Sequence, residues 1–480
     1  MEETRNATYS NKEDRISRLP DALIHHILSF IDAKYAVQTS VLSKRWIHIW
    51  KSLSFLNFNR SSFSLQNTER FIEFVYMVFI FRDDTNIQKF SVDWENSAFD
   101  YTAIMNVNRW SLNAVKHEVQ EISIVITQCH ISAYEIPHHL LNCKSLRKLG
   151  MMMFSNARHA DVILPRSMNL PRLKVLSITG LSISNEESSK RLFSSCPVLE
   201  TLAIQNCDIQ TYNGRKLIVD SVSVKKFAYT FLCRRRYPQN GTKENIVKLC
   251  APNLKDFFCA LLLKQDCSLE ICFPLSRVSF HMILENLKDE NAETYSKLPL
   301  GEKEVYAKRV MRFLEAVYMV KEMRLLSPGF LEVLSRAPDV VDCQPPRLCS
   351  LKYLTLTMWS TRSCMRAIVY LLSISPNVTK LFLKAKESCL ADVGDEWETG
   401  LSFPGMLSHL EYVQIEVEGC DAELKLLCFL LKKAKFLKKV VLYFRSSVGS
   451  PDGVTQVEQF MDTLRLVPTA SSSIQVVFKT

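Results

Sequence analysis

The feature that most constrains this chain is a spaced apolar trio: one apolar residue, another three positions on, and a third two after that. It occurs at Ile87/Phe90/Val92, Val119/Ile122/Ile124, Leu146/Leu149/Met151, Leu173/Leu176/Ile178, Leu199/Leu202/Ile204, Val224/Phe227/Tyr229 and Leu254/Phe257/Cys259. It continues at Leu275/Val278/Phe280, Val320/Met323/Leu325, Leu351/Leu354/Leu356, Val378/Leu381/Leu383, Leu410/Val413/Ile415 and Leu437/Val440/Leu442. Successive starts mostly lie about 25 to 32 residues apart, a period of stacked repeat architectures. The last two members alternate as a short strand requires, and the first enters from the preceding turn. Helix-like stretches lie between them at Glu186–Cys196, Val305–Val320, Cys364–Ser375 and Ala422–Ala434. Prolines at Pro197, Pro252 and Pro376 end such segments and turn the chain into the next strand. No single repeat buries enough to be stable, but stacked neighbours share a core. The pattern therefore predicts an α/β chain built as a curved solenoid, with a parallel sheet inside and helices outside.

Two charged stretches interrupt the register. Lys288–Lys303 reads as a solvated loop leading into a helix, and Lys384–Gly400 as an exposed acidic loop without calcium-loop spacing. Glycine is scarce, 12 of 480 residues, which disfavours glycine-rich phosphate loops. The fifteen cysteines are odd in number and contain no C-x-x-C pair. With a polar start over Met1–Arg15, they point to free thiols in a reducing compartment, cytoplasmic or nuclear. The longest apolar stretch, Phe71–Phe81, is too short for a bilayer and reads as a buried helix, so no membrane association is expected.

The first fifty residues follow a different rule. Residues 1–14 are polar and expected to be disordered. Pro20 then suits the first turn of a helix, and Leu23, Ile24, Ile27, Leu28 and Ile31 follow at helical spacing. After the polar break Asp32–Lys34 comes a second helical stretch with Ala36, Val37, Val41 and Leu42. Ser43 is placed to cap a third helix, on which Trp46 and Trp50 share a face. Three such helices enclose little apolar surface and need a partner or the rest of the chain to cover them.

The string Ile16-Ser17-x-Leu19-Pro20-Asp21-x-Leu23-Ile24-x-x-Ile27-Leu28-Ser29-Phe30 resembles a plant F-box, as does Thr39-Ser40-Val41-Leu42-Ser43-Lys44-Arg45-Trp46 with Trp50. The repeats resemble leucine-rich repeats. Leu401–Pro404, Leu410–Val413, Glu423–Ala434, Leu437–Val440 and the ending Pro468–Phe478 resemble the FBD region that closes many plant F-box/leucine-rich-repeat proteins. The resemblance implies an F-box over 15–58, leucine-rich repeats over 85–400 and an FBD region closing the solenoid over 401–480. It also implies docking to a Skp-type adaptor through Leu19, Pro20, Ile24, Ile27, Leu28, Val41, Leu42 and Trp46. Through that adaptor would come a cullin scaffold and RING subunit, with this chain choosing the protein to be ubiquitinated. Six Lys/Arg against two Asp/Glu over Arg15–Phe55 suit an acidic adaptor. Relatives often carry Leu-Pro-Thr-Lys after the first helix, where this chain has Ile31-Asp32-Ala33-Lys34, which predicts a looser loop and an intact docking face.

No Walker loop, G-x-G-x-x-G, H-E-x-x-H or G-x-S-x-G is present, so no catalytic residue, metal or cofactor is expected. Cys129, His130, His138, His139 and Cys143 cluster without the spacing of a zinc finger and read as ordinary repeat residues. Arg234–Arg236 and the lysines from Lys432 to Lys439 read as solvated surface. Nucleic acid is accordingly not expected as a partner, despite the formal charge of +10. Candidate target contacts are residues between the alternating strand positions that face the inner wall of the solenoid: Lys174, Ser177, Glu200, Thr201 and Ala203. The alternative function is a repeat scaffold or protein-binding module that works outside any ligase.

Overall fold

In the computed structural model all thirteen trios are buried, and the last two members of each lie on a strand of a parallel sheet. The structure describes residues 18–63, 67–94, 101–127, 134–154, 160–183, 185–209, 216–232, 245–264, 267–284, 295, 297–335, 346–389, 406–417, 419–444 and 451–479. The expected disordered start (1–14), Arg234–Arg236, Cys129, His130, Leu401–Pro404, half of Lys288–Lys303 and most of Lys384–Gly400 fall outside them. The chain divides into two compact units, Met1–Leu173 and Lys174–Thr480.

The first unit opens with α1 (Asp21–Leu28), α2 (Ala33–Gln38) and α3 (Lys44–Lys51). Strand β1 (Phe55–Asn59) follows, then α4 (Thr68–Phe81), β2 (Lys89–Trp94), α5 (Tyr101–Lys116), β3 (Glu121–Thr127), β4 (Tyr134–Glu135), β5 (Lys148–Phe154) and β6 (Ala160–Ile163). β1, β2, β3 and β5 pair in parallel, with Leu56, Phe90, Ile122 and Leu149 aligned. β1 is thus a repeat strand within the residues that sequence assigns to the F-box. Leu53, Leu56 and Phe58 repeat the trio's spacing and are all buried. α4, formed by the long apolar run, buries Phe71, Val75 and Val78, and Phe71 meets Trp94 and Trp110 edge-on.

The second unit runs β7 (Val175–Thr179), β8 (Leu181–Ile183), α6 (Glu186–Ser194), β9 (Thr201–Gln205), β10 (Asp208–Ile209), β11 (Lys216–Asp220), β12 (Lys226–Phe231), β13 (Asn245–Cys250), β14 (Asp256–Leu262), β15 (Cys267–Ile271) and β16 (Arg277–Ile283). Then come α7 (Leu300–Ala316), β17 (Glu322–Leu325), α8 (Pro328–Leu334), β18 (Tyr353–Ser360), α9 (Arg362–Ile374), β19 (Lys380–Cys389), β20 (Tyr412–Val417), α10 (Asp421–Lys433), β21 (Lys439–Phe444), α11 (Pro451–Arg465) and β22 (Gln475–Lys479). The main sheet takes β7, β9, β12, β14, β16–β22 in that order, all parallel. The same trio position stays aligned throughout, as in Leu202↔Phe227↔Phe257↔Val278↔Met323↔Leu354↔Leu381↔Val413↔Val440. Even the long step from Leu275 to Val320 keeps it, with α7 standing between β16 and β17 in the chain.

The turn before several of the strands supplies a fourth buried repeat member. Leu173, Leu199, Leu254, Leu351 and Leu410 each donate a backbone N–H to the carbonyl three residues back. Those residues, Leu170, Cys196, Ala251, Leu348 and Leu407, are buried too.

The four helices read from sequence fall on α6, α7, α9 and α10. The second layer is not helical everywhere: β11, β13 and β15 form a three-stranded parallel sheet. Leu217/Val219, Val247/Leu249 and Cys267/Leu269 alternate inward there, a period that fits strands and not helices. Left-handed residues at Gly180 and Asn206, just past β7 and β9, turn the chain toward β8 and β10, where most side chains other than glycine and asparagine would be strained.

Candidate protein-docking surfaces

The three N-terminal helices divide their apolar residues between two stripes. On α1, Ile24 and Leu28 face inward at 1% and 3% exposure, and on α3 Trp46, Ile49 and Trp50 meet them from the other side. Offset by one residue, Leu23, Ile27 and Phe30 form the outward stripe, with Phe30 73% exposed. Tyr35, Val41, Leu42 and Ile47 are also exposed, Val41 at 85%. Seven large apolar side chains therefore face solvent within residues 23–47, an exposed apolar patch of the kind found at interaction sites.

Of the eight residues read as adaptor contacts, Pro20, Ile27, Val41 and Leu42 are exposed and Leu19 is half-buried. Ile24, Leu28 and Trp46 are buried in the interior of the three-helix unit. Leu23, Phe30, Tyr35 and Ile47, which that reading did not name, are exposed beside them. Helical spacing contains the signal, since Leu23, Ile27 and Phe30 are separated by four and three residues.

Polar contacts hold this surface in shape. Arg45 forms an ion pair with Asp21 and donates to the Leu19 carbonyl, fixing the start of α1 against α3. His25 Nε2 lies 3.2 Å from the Ile49 carbonyl oxygen and 3.1 Å from Ser52 Oγ. Ser43 precedes α3 as expected, but its side chain makes no capping bond. The expected looseness after α1 is not found. Asp32 Oδ1 accepts the Lys34 backbone N–H at 2.7 Å, Asp32 Oδ2 accepts the Asn59 N–H at 2.8 Å, and Lys34 Nζ donates to the Ser62 carbonyl at 2.6 Å. Burial pushes the Asp32 carboxyl above its usual range despite these bonds.

On the repeats, Lys174 and Glu200 directly precede β7 and β9, and Ser177, Thr201 and Ala203 occupy those strands' outward positions. Glu200 pairs with Lys174 at 3.3 Å and Lys225 at 3.5 Å, and its hydrogen bond from Lys174 holds its carboxyl below the usual range. The ladder continues where Arg277 joins Asp256 and Glu322, each at 2.8 Å. The charges on these strands largely answer one another.

The histidine cluster has structural partners: His138 Nε2 lies 2.8 Å from Ser167 Oγ, His139 Nε2 lies 3.2 Å from Ser111 Oγ, and Cys143 is buried. Among the described residues no group of three or more His, Cys, Asp or Glu could hold a metal, and no helix is long and apolar enough to cross a membrane.

A small helical unit with an outward apolar face, joined to a parallel-stranded repeat array, defines an F-box protein of the leucine-rich-repeat type. Comparison with protein families agrees along the chain: the F-box domain matches residues 16–58, the leucine-rich repeats of FBD-associated F-box protein At5g56370 match 107–274, and the FBD matches 403–442. Similar proteins from Arabidopsis thaliana include F-box/FBD/LRR-repeat protein At1g78750, 26% identical over 98% of this chain and 97% of that one. F-box/LRR-repeat protein 13 is 28% identical over the same shares, and FBD-associated F-box protein At1g66310 is 27% identical over 97% and 96%. Along nearly its whole length the chain is thus similar to plant F-box/FBD/leucine-rich-repeat proteins, and it carries matches to all three of their domains.

Proposed function

We infer that this protein is the substrate-recognition subunit of a Skp–cullin–F-box ubiquitin ligase. The observation that carries this reading is the group of seven exposed apolar side chains on the F-box helices. Leu19, Pro20, Ile27, Val41 and Leu42, with Leu23, Phe30, Tyr35 and Ile47, dock the Skp-type adaptor, and the adaptor joins the chain to the cullin and RING subunits. Ile24, Leu28 and Trp46 support that face from behind. The F-box (15–58) thus holds the ligase, the repeats (85–400) hold a target protein, and the FBD region (401–480) closes the array. This chain supplies proximity, and the transfer chemistry belongs to the other subunits. The reading places it in the cytoplasm or nucleus, where its free cysteines stay reduced.

Co-purification with a recombinant plant Skp-type adaptor tests the reading. The full chain is expected to retain the adaptor, and Val41→Asp with Leu42→Asp to release it without lowering the melting temperature. A chain that holds target proteins but never the adaptor would be the ligase-independent binding module instead.

A further inference from the structure

Beyond β17 the outward face of the main sheet changes character. Neighbouring strands align Tyr353, Lys380, Tyr412, Lys439 and Gln475 in one row across β18–β22. Aromatic and lysine side chains alternate over its first four positions. The next row begins Thr355, Phe382 and Gln414, and the third runs Thr357, Lys384, Glu416, Tyr443 and Lys479. Lys380 Nζ sits 5.5 Å from the centre of the Tyr353 ring, and the Phe382 and Tyr412 rings are 5.7 Å apart. Tyr353 is 38% exposed, and Tyr412 is fixed by its hydroxyl, which donates to Gln414 Oε1 at 3.0 Å.

The aromatic–lysine alternation sets this surface apart from the preceding strands, where Lys226, Lys255 and Lys321 likewise pair with no carboxylate among the described residues but ion-pair ladders run between them. There, Lys174, Glu200 and Lys225 form one alternating ladder and Asp256, Arg277 and Glu322 another. Here the carboxylates Glu411 and Glu416 are engaged by Lys438 and Lys384, at 3.0 and 3.6 Å. Among the described residues no carboxylate pairs with Lys352, Lys380, Lys386 or Lys439. A surface whose own acids are used up, with lysines left over beside half-buried rings, complements a partner with acidic and apolar side chains together.

We propose that the outward face of β18–β22 is the target-docking surface, and that its occupant is an extended acidic segment of a partner protein. Carboxylates of that segment meet Lys380 and Lys439, and its apolar side chains pack on Tyr353, Phe382 and Tyr412. Five strands about 4.8 Å apart span roughly 19 Å, the reach of about six extended residues. Lysine ammoniums and half-buried rings fit such a segment better than a nucleic acid, because Glu416 stands within the third row and would face the phosphates. The proposal assigns a partner chemistry to the repeats and so rests on the reading of the chain as a target receptor.

The test selects peptides of about six random residues, matching the span of the sheet face, on the full chain immobilised by an N-terminal tag. Sequences rich in Asp and Glu beside Leu, Phe or Tyr are expected. Their affinity should fall about ten-fold or more for Lys380→Glu with Lys439→Glu, and fall again at high salt. Lys226→Glu, an exposed change on β12, should leave it unaltered. Failure to enrich any peptide, enrichment of neutral or basic ones, or affinity indifferent to the double reversal would overturn the proposal. So would a single-stranded oligonucleotide that bound at least as tightly and lost affinity through the same two substitutions. Adaptor retention is scored separately on every variant. If it fails while peptides bind as expected, the ligase reading falls and the docking surface stands; the reverse result removes the docking surface alone.

Discussion

Asp32 caps α2 and, through its second carboxylate oxygen, accepts the Asn59 backbone N–H at 2.8 Å, so one side chain ties the F-box helices to the first repeat strand. The tie stands where relatives often have a proline-bearing loop. Asp32→Ala removes a helix cap and leaves the Asn59 N–H without that acceptor, and it should destabilise the first unit by about 1–2 kcal/mol. Urea unfolding of the full chain followed by tryptophan fluorescence measures the loss. An unchanged unfolding curve would show that the tie does not hold.

If β1 is a repeat strand, its core side chains carry repeat stability. Leu56 aligns with Phe90 and is buried, so Leu56→Ala should cost about 2–5 kcal/mol, as deep truncations do. The expected outcome is a fall in the first unfolding midpoint together with loss of hydrogen-exchange protection in β2. Unchanged protection in β2 would place residues 55–59 outside the sheet.

Glu332 provides a pH test. Its carboxyl is buried, accepts a hydrogen bond from Thr361 Oγ1, and lies 3.3 Å from Cys364 Sγ. Burial raises its pKa, outweighing those hydrogen bonds. A carboxyl whose folded pKa exceeds its unfolded value contributes stability that is present below the unfolded pKa and lost as pH rises through the folded one. Glu332→Gln keeps an acceptor oxygen but cannot ionise. Its melting temperature should match that of the natural chain at acidic pH and exceed it above the folded pKa. Equal melting temperatures across that window would contradict the burial argument.

Thiol reactivity checks the repeat core. Cys272 and Cys349 are exposed, whereas burial pushes the Cys259 and Cys364 thiols well above their ordinary pKa. Only thiolate reacts, so a maleimide at neutral pH should label Cys272 and Cys349 first and the buried pair only on unfolding. Peptide mass mapping reads the order, and early labelling of Cys259 would contradict it.

Much of this was legible in the sequence, for identifiable reasons. The trio carries both strand alternation and the turn that feeds it, so Leu354 and Leu381 announce their strands without further context. β1 escaped because Leu53, Leu56 and Phe58 follow α3 closely and read as its tail. The outer strands escaped because short runs such as Leu217–Val219 lack the preceding turn and resemble any apolar stretch. At the docking face, Leu23 and Ile24 are both apolar on one helix, and only packing decides which turns outward. The lysine–aromatic row was invisible for a related reason: Tyr353 and Lys380 are 27 residues apart and become neighbours only when the repeats stack in register.

In the proposed function the outward stripe of the F-box helices binds a Skp-type adaptor. The most direct measurement is the dissociation constant for that adaptor, by titration calorimetry, for the natural chain and for Leu23→Asp, Ile27→Asp and Val41→Asp. Each exposed substitution should weaken binding about thirty-fold or more, a hot-spot loss, while leaving the unfolding midpoint in place. Unchanged affinity across all three would contradict the account.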